Sequence, residues 1–147
     1  MKAEEAVPVQ AIEVVPVNTG AAVFLVTPLK TIVIQVDLAV GEALQASLAG
    51  RVAERPQSHD LMLHLLLGLD AAVSHVAVVS VSDGVFYARV LLAQDGPVAR
   101  KVAEVDARPS DALVLAVKAK RPVFIARPVL DVCDDMSAQL ARLRKQA

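Results

Sequence analysis

The stretch DARPSDALVLAV, residues 106–117, places two acids, an arginine, a proline and a serine in six positions and then becomes apolar. Proline suits the first helical turn, and serine or aspartate accepts hydrogen bonds from the free backbone N–H groups there. The stretch therefore predicts a helix start. ERPQSHDLMLHLL, residues 54–66, repeats the same order. Two such starts in one small chain predict that a structural unit occurs twice.

Strand and turn signals surround both helix starts. The first half predicts strands over 11–17, 21–26 and 30–36, then helices over 40–50 and 56–69. The second half predicts three strands within 73–107, a helix over 109–119, a strand over 122–126, and a helical region from Pro128 with a break near Asp134. The order indicates an internal duplication of a unit with three strands and two helices. If the duplication brings the two helix starts together, residues 55–60 and 106–111 lie close to each other, related by an approximate two-fold axis.

The dipeptide Asp83-Gly84 predicts a two-residue hairpin turn between the first two of the later strands. The resulting register sets Val81 opposite Phe86, Val79 opposite Ala88, and Ala77 opposite Val90. All of these side chains would share one apolar face, so this register is the expected one.

Composition narrows the class of protein. The 147 residues suit one domain, and with 55% hydrophobic but only 3% aromatic residues the core must be aliphatic. The longest uncharged stretch, residues 14–29, is interrupted by prolines and a glycine, so no membrane-spanning helix is expected. The first residues lack the apolar core of a secretory signal, and the single cysteine, Cys133, excludes an internal disulfide. We therefore expect a cytoplasmic protein.

Charge and aromatic content argue against a non-specific nucleic-acid binder. The 15 basic and 16 acidic residues nearly cancel, whereas such binders carry a basic surplus. Three phenylalanines and one tyrosine offer few surfaces on which bases could stack. Composition alone thus favours a function other than non-specific binding of nucleic acids.

The helix predicted over 56–69 is apolar around its whole circumference. Between Asp60 and Asp70 its only polar side chain is His64. A helix of this kind is typically buried on all sides, which a small domain seldom achieves within one chain. The pattern predicts a homodimer or higher homo-oligomer, with His64 in the core or the interface.

Three motifs in this order resemble the bifunctional nuclease domain family: RPQSHDLM (55–62), VSDGVFYARVLL (81–92), and VDARPSDALVLAV (105–117) followed by RPVFIA (121–126). The resemblance implies a domain over 8–132, with 133–147 as a helical tail of the same domain. It implies an α+β fold in which the duplicated unit forms one strongly curved, barrel-like mixed sheet with helices packed around it. It also implies an oligomer that hydrolyses DNA and RNA.

Phosphodiester hydrolysis needs an activated nucleophile and stabilisation of charge at phosphorus. His59 could act as the base, with Asp60 and Asp111 as its catalytic partners. Arg55 and Arg108 could clamp the phosphate, and Ser58 and Ser110 could also bind substrate. Mg²⁺ or Mn²⁺ prefers carboxylate oxygens, and the predicted metal ligands are Glu42, Asp60, Asp106 and Asp111.

The same residues have a purely structural interpretation. Arg108 with Asp111 and Arg55 with Asp60 could be salt bridges at helix starts, with Ser58 and Ser110 as helix caps. The sequence thus leaves two function hypotheses, a metal-assisted nuclease and a non-catalytic oligomeric regulatory or scaffold domain.

Overall fold

A computed structural model describes residues 5–146. The strands are β1 (Ala6–Pro8), β2 (Ala11–Val17), β3 (Gly20–Val26), β4 (Thr31–Val36), β5 (Ala71–Ser82), β6 (Val85–Asp95), β7 (Arg100–Ala107) and β8 (Val123–Ala126). The helices are α1 (Leu38–Leu48), α2 (Ser58–Gly68), α3 (Pro109–Ala119), α4 (Arg127–Val132) and α5 (Ser137–Gln146). The α+β class is confirmed.

The strands form two sheets. One is antiparallel with the order β2-β3-β4, and the other is mixed with the order β1-β8-β5-β6-β7, in which only β5 and β8 are parallel. The expected single barrel-like sheet is therefore not found among residues 5–146. The chain passes between the sheets at Val9 and Gln10, whose N–H groups donate to Val123 in one sheet and Val26 in the other. The sheets adjoin here through single hydrogen bonds and not through a shared ladder.

Helices α1 and α3 link the two sheets. Helix α1 packs on β2 and β3, α3 packs on β5 and β6, and the two helices contact each other. All residues from Ala112 to Ala116 are buried, so α3 lies at the centre of the aliphatic core. The predicted order of elements is confirmed in both halves, with β8 present only in the second.

Most predicted boundaries agree with the structure, and α3 agrees at both ends. Helix α2 begins at Ser58 and not at Pro56, because Gln57 still has extended backbone geometry. Strand β1 is too short, at three residues, to show a period in the sequence.

The hairpin register differs from the prediction beyond the pair of Ser80 and Tyr87. Val81 lies opposite Phe86 as expected, but a bulge at Val79 sets Val78 opposite Ala88 and Val76 opposite Val90. A bulge places two residues against one and so exchanges the faces of all residues beyond it. The exchange buries Val76 and Val78, which the predicted register would have turned away from the core.

The C-terminal helix packs on the three-stranded sheet. Leu140 of α5 is buried with Ala22 and Phe24 in a small second cluster. On the surface beside it, Arg144 pairs with Glu13 of β2. None of the helices described within residues 5–146 has the length and apolar character needed to cross a bilayer.

Helix α2 is largely exposed in the single chain, so its burial on all sides stays a prediction that requires a subunit interface. Leu63 and Leu66 pack against the core, but no residue of α2 is fully buried in the single chain. Its other large apolar side chains are exposed, namely Leu61, Met62, Leu65 and Leu67. We call these four residues the α2 apolar face.

Candidate active site

The two helix starts predicted from the repeated motif lie together. His59 is the second residue of α2, Asp111 is the third residue of α3, and their side chains meet at 2.9 Å between Nε2 and Oδ1. The contact arises because α2 packs on α3. The predicted proximity is confirmed, while the approximate two-fold axis stays a prediction.

Asp111 is held on both oxygens. Oδ1 meets His59, and Oδ2 accepts a hydrogen bond from Nε of Arg108 at 2.8 Å. Partial burial works against ionisation of Asp111, but the hydrogen bonds from Arg108 and His59 outweigh it and lower the pKa of the carboxyl group. Asp111 is therefore an ionised acceptor at neutral pH.

This charge determines which nitrogen of His59 carries the proton. Because an ionised carboxylate only accepts hydrogen bonds, Nε2 of His59 carries an N–H, and in the neutral ring the lone pair lies on Nδ1. Nδ1 has no hydrogen-bond partner among the described residues, and no buried side-chain nitrogen or oxygen there is unpartnered. Nδ1 therefore reaches solvent, where it can accept a proton.

Asp60 is held by a residue that the sequence did not single out. Its carboxylate contacts Nζ of Lys118 at 2.9 Å and accepts a hydrogen bond from the backbone N–H of Gln57 at 2.9 Å. The bond from Lys118, followed by that from Gln57, lowers the pKa of Asp60. A signal for Lys118 was present, because it follows Asp111 by seven residues and therefore shares its face of α3.

A cavity of about 140 Å³ opens beside this cluster. Its polar lining comes from Arg51, Gln57, His59, Asp60 and Lys118. Arg51 follows α1 in the chain and was likewise not predicted as a site residue. The cavity combines two basic side chains and an imidazole with one carboxylate, which suits a small anion such as a phosphoryl group.

Of the predicted phosphate clamps, the structure brings one to the cluster. Arg108 precedes α3, bonds Asp111, and also borders a larger groove of about 660 Å³ with Asp37 and Ser110. Arg55 is exposed and forms no ion pair among residues 5–146. The structural interpretation is thus confirmed for Arg108 with Asp111 and wrong for Arg55 with Asp60.

The two predicted serines are not helix caps. The N-cap positions are Gln57 before α2 and Arg108 before α3, because α2 already begins at Ser58 and α3 begins at Pro109, ahead of Ser110. Ser58 is exposed at the start of α2, whereas Ser110 is buried in the first turn of α3.

The four predicted metal ligands do not gather into one site. Glu42 is exposed on α1, and Asp106 pairs with Arg89 on the five-stranded sheet. Asp60 and Asp111 face Lys118 and Arg108. Among the described residues no group of three or more His, Cys, Asp or Glu side chains is arranged to hold a metal ion. As placed, these donors do not fit an Mg²⁺ or Mn²⁺ site built from the described residues.

Three further groups lie outside the cluster. Cys133 packs at the margin of the main core, where burial raises the pKa of its thiol. His75 lies in β5 with its ring edge-on to Phe124. His64 is exposed on α2, so of its two predicted places the core is wrong and the subunit interface stays a prediction.

The contacts of Asp111 should make the free energy of unfolding depend on pH in the acidic range. A carboxyl group whose pKa is lowered by folding stabilises the native state above its unfolded pKa of about 3.9 and loses that contribution as the pH falls through the folded value. Asp111→Asn should therefore unfold more easily than the unmodified protein at pH 7, and the difference should shrink below about pH 4.

Denaturant unfolding at several pH values measures this effect. Asp131→Asn, on the exposed side of α4, is the matched control and should leave the pH dependence unchanged. A difference between Asp111→Asn and the unmodified protein that stays constant from neutral to acid pH would contradict the assignment.

Comparison with known proteins agrees with the motifs. The model of the bifunctional nuclease domain matches residues 25–137, which include the cluster and all three motifs. Two uncharacterized proteins of Mycobacterium tuberculosis, MT1877 of strain CDC 1551 / Oshkosh and Rv1829 of strain ATCC 25618 / H37Rv, are each 28% identical over 95 residues. The matched part is 62% of this chain and 54% of each relative, so the chain spans about half the length of these proteins. By the extent of the domain match, this chain belongs to the bifunctional nuclease domain family.

Proposed function

We propose that this chain is a nuclease that hydrolyses phosphodiester bonds of DNA and RNA at the His59–Asp111 pair. One observation carries the proposal: an imidazole that lines a basic cavity is oriented by a carboxylate through one nitrogen, while its other nitrogen has no partner among the described residues. A base positioned in this way is a recurring requirement of hydrolytic catalysis. The family membership supports the same reaction class.

Each residue of the cluster has a distinct task in this proposal. Nδ1 of His59 takes the proton of the attacking hydroxyl or water. Asp111 keeps the ring in the required tautomer and balances the charge that the ring gains, and Arg108 holds Asp111 in place. Arg108 and Asp111 are thus positioning residues, and His59 is the catalytic residue.

The negative charge of the phosphoryl group is met by the cavity. Lys118 and Arg51 line it on the side of α1 and α3. Asp60 keeps the ammonium of Lys118 oriented through the 2.9 Å contact. Electrostatic stabilisation of this kind is commonly the largest single contribution to catalysis of acyl and phosphoryl transfer.

The direct test is a cleavage assay on purified protein. Single-stranded DNA and RNA are each incubated with Mg²⁺, with Mn²⁺ and with EDTA, because the sequence predicted a metal while the residues present do not form a site for one. Activity that co-elutes with the protein and is lost in His59→Ala supports the proposal. Activity that survives the substitution places the reaction elsewhere.

A second candidate function is a non-catalytic oligomeric regulatory or scaffold domain. It is favoured by the α2 apolar face, which is exposed in the single chain, and by the near-neutral charge. We further propose that this face joins two copies of the chain in a homo-oligomer. An oligomer is compatible with either function, so only the cleavage assay separates the two.

A further inference from the structure

Resting on the nuclease activity proposed above, we infer that this site cleaves RNA without a divalent metal, by attack of the ribose 2′-hydroxyl, and that it leaves DNA intact under the same conditions. The carboxylates of the site are already paired with basic side chains, which limits the chemistry that the site can perform.

The site contains an imidazole and basic side chains, but its carboxylates are already paired and form no cluster that could hold a metal ion. Asp60 and Asp111 each bond a basic side chain, and no metal-holding group of acids, histidines or cysteines occurs among the described residues. Nδ1 of His59 has no hydrogen-bond partner among the described residues, and His59 is one of the residues that line the cavity. The chemistry that fits is proton removal at a nucleophile that needs no further activation.

The 2′-hydroxyl of RNA is a nucleophile of this kind. Groups held in position within one molecule react with effective concentrations of about 10⁵–10⁸ M, far above the concentration of liquid water. A single imidazole can therefore suffice for RNA, whereas DNA lacks the 2′-hydroxyl and must recruit water. The geometry thus points to RNA, and not DNA, as the substrate that is cleaved when divalent cations are absent.

The step balances without an added reagent. The proton of the 2′-hydroxyl moves to Nδ1 of His59, the 2′ oxygen forms a bond to phosphorus, and the bond from phosphorus to the 5′ oxygen breaks. The departing 5′ oxygen keeps the electron pair and takes a proton from water, and His59 returns its proton to solvent. The products are a 2′,3′-cyclic phosphate and a free 5′-hydroxyl.

The cavity is placed to hold the phosphoryl group during this step. Its volume of about 140 Å³ is small, and Arg51 and Lys118 lie in its wall with His59. Arg51→Gln should therefore raise KM for RNA about tenfold or more, as expected for loss of a charged hydrogen bond. Arg121→Gln, exposed after α3, is the matched control and should leave KM unchanged.

The experiment compares an RNA oligonucleotide with the same sequence in DNA, and with RNA carrying one 2′-deoxy position at the cleaved bond. All three are incubated with the full chain in EDTA and in Mg²⁺, and the product ends are identified by mass spectrometry. We expect cleavage of the RNA in EDTA with cyclic phosphate ends, and no cleavage in EDTA of the DNA or at the 2′-deoxy position.

The other outcomes separate this inference from the proposed function. Equal cleavage of RNA and DNA that requires Mg²⁺, or RNA products without a cyclic phosphate, would overturn the inference while leaving the nuclease proposal intact. An unchanged KM in Arg51→Gln would overturn the placement of the phosphoryl group. Absence of cleavage in every condition would remove the nuclease proposal and this inference together.

Discussion

His59→Ala is expected to lower the rate of nucleic-acid cleavage by about 10²- to 10⁴-fold, the usual cost of losing a positioned general base. His59 is the only imidazole that contacts Asp111 among the described residues, so no other histidine there can take its place. Folding should survive, because the side chain lies at the start of α2 and not in the main core.

The measurement pairs a cleavage assay with a thermal melt on the same preparations. His75→Ala is the matched control, because that histidine lies in β5 against Phe124 and takes no part in the cluster. It should retain full activity. Equal losses in both variants would indicate a general effect on folding, and full activity in His59→Ala would contradict the assignment of the base.

Asp111→Asn refines this test, because it keeps the shape of the side chain and removes its charge. The amide no longer enforces the tautomer with N–H at Nε2, so a slower reaction with an altered pH–rate profile is expected. A merely structural Asp111 would lower the amount of folded protein without moving the profile. The pH–rate profile therefore separates positioning from packing.

Leu65→Glu should convert the protein to monomers, the second large effect. Leu65 lies in the α2 apolar face and is 60% exposed in the single chain. Burying one leucine contributes about 1.5–3 kcal/mol, and a two-fold interface contains each side chain twice. A glutamate there would add the cost of burying a charge. Leu66 is unsuitable for this test because it packs against the core, so its replacement would also perturb folding.

Light scattering at micromolar concentration measures the mass of both forms. Val98→Glu, in the exposed turn between β6 and β7, is the matched control and should keep the mass of the unmodified protein. A monomeric unmodified protein would contradict the oligomer, and an oligomer that persists in Leu65→Glu would place the interface on another surface.

Much of the fold could be predicted because its signals are local. The bounds of α3 agree with the prediction because Pro109 can begin a helix and the apolar run that follows suits a buried one. The turn at Asp83-Gly84 is present because both residues adopt positive φ angles, which aspartate tolerates and glycine readily allows.

The predictions failed where distant parts of the chain decide the outcome. The bulge at Val79 follows from packing, since it is the burial of Val76 and Val78 that selects the register. Within the single chain only Leu63 and Leu66 of α2 reach the core, so the predicted burial of the rest of the helix depends on a second copy of the chain and stays a prediction. The predicted metal ligands do not form one site, because Asp111 pairs with Arg108 and Asp60 pairs with Lys118.

The sequence by itself determined the order of the longer elements, the first residue of α3 and the membership of the family, since these depend on residues that are neighbours in the chain. Only the tertiary structure decided that His59 meets Asp111, 52 positions away, and that Asp60 meets Lys118 and not Arg55. The physical reason is that the partner of a side chain depends on how one helix packs on another. That packing is set by the burial of the whole aliphatic core, which no local motif records.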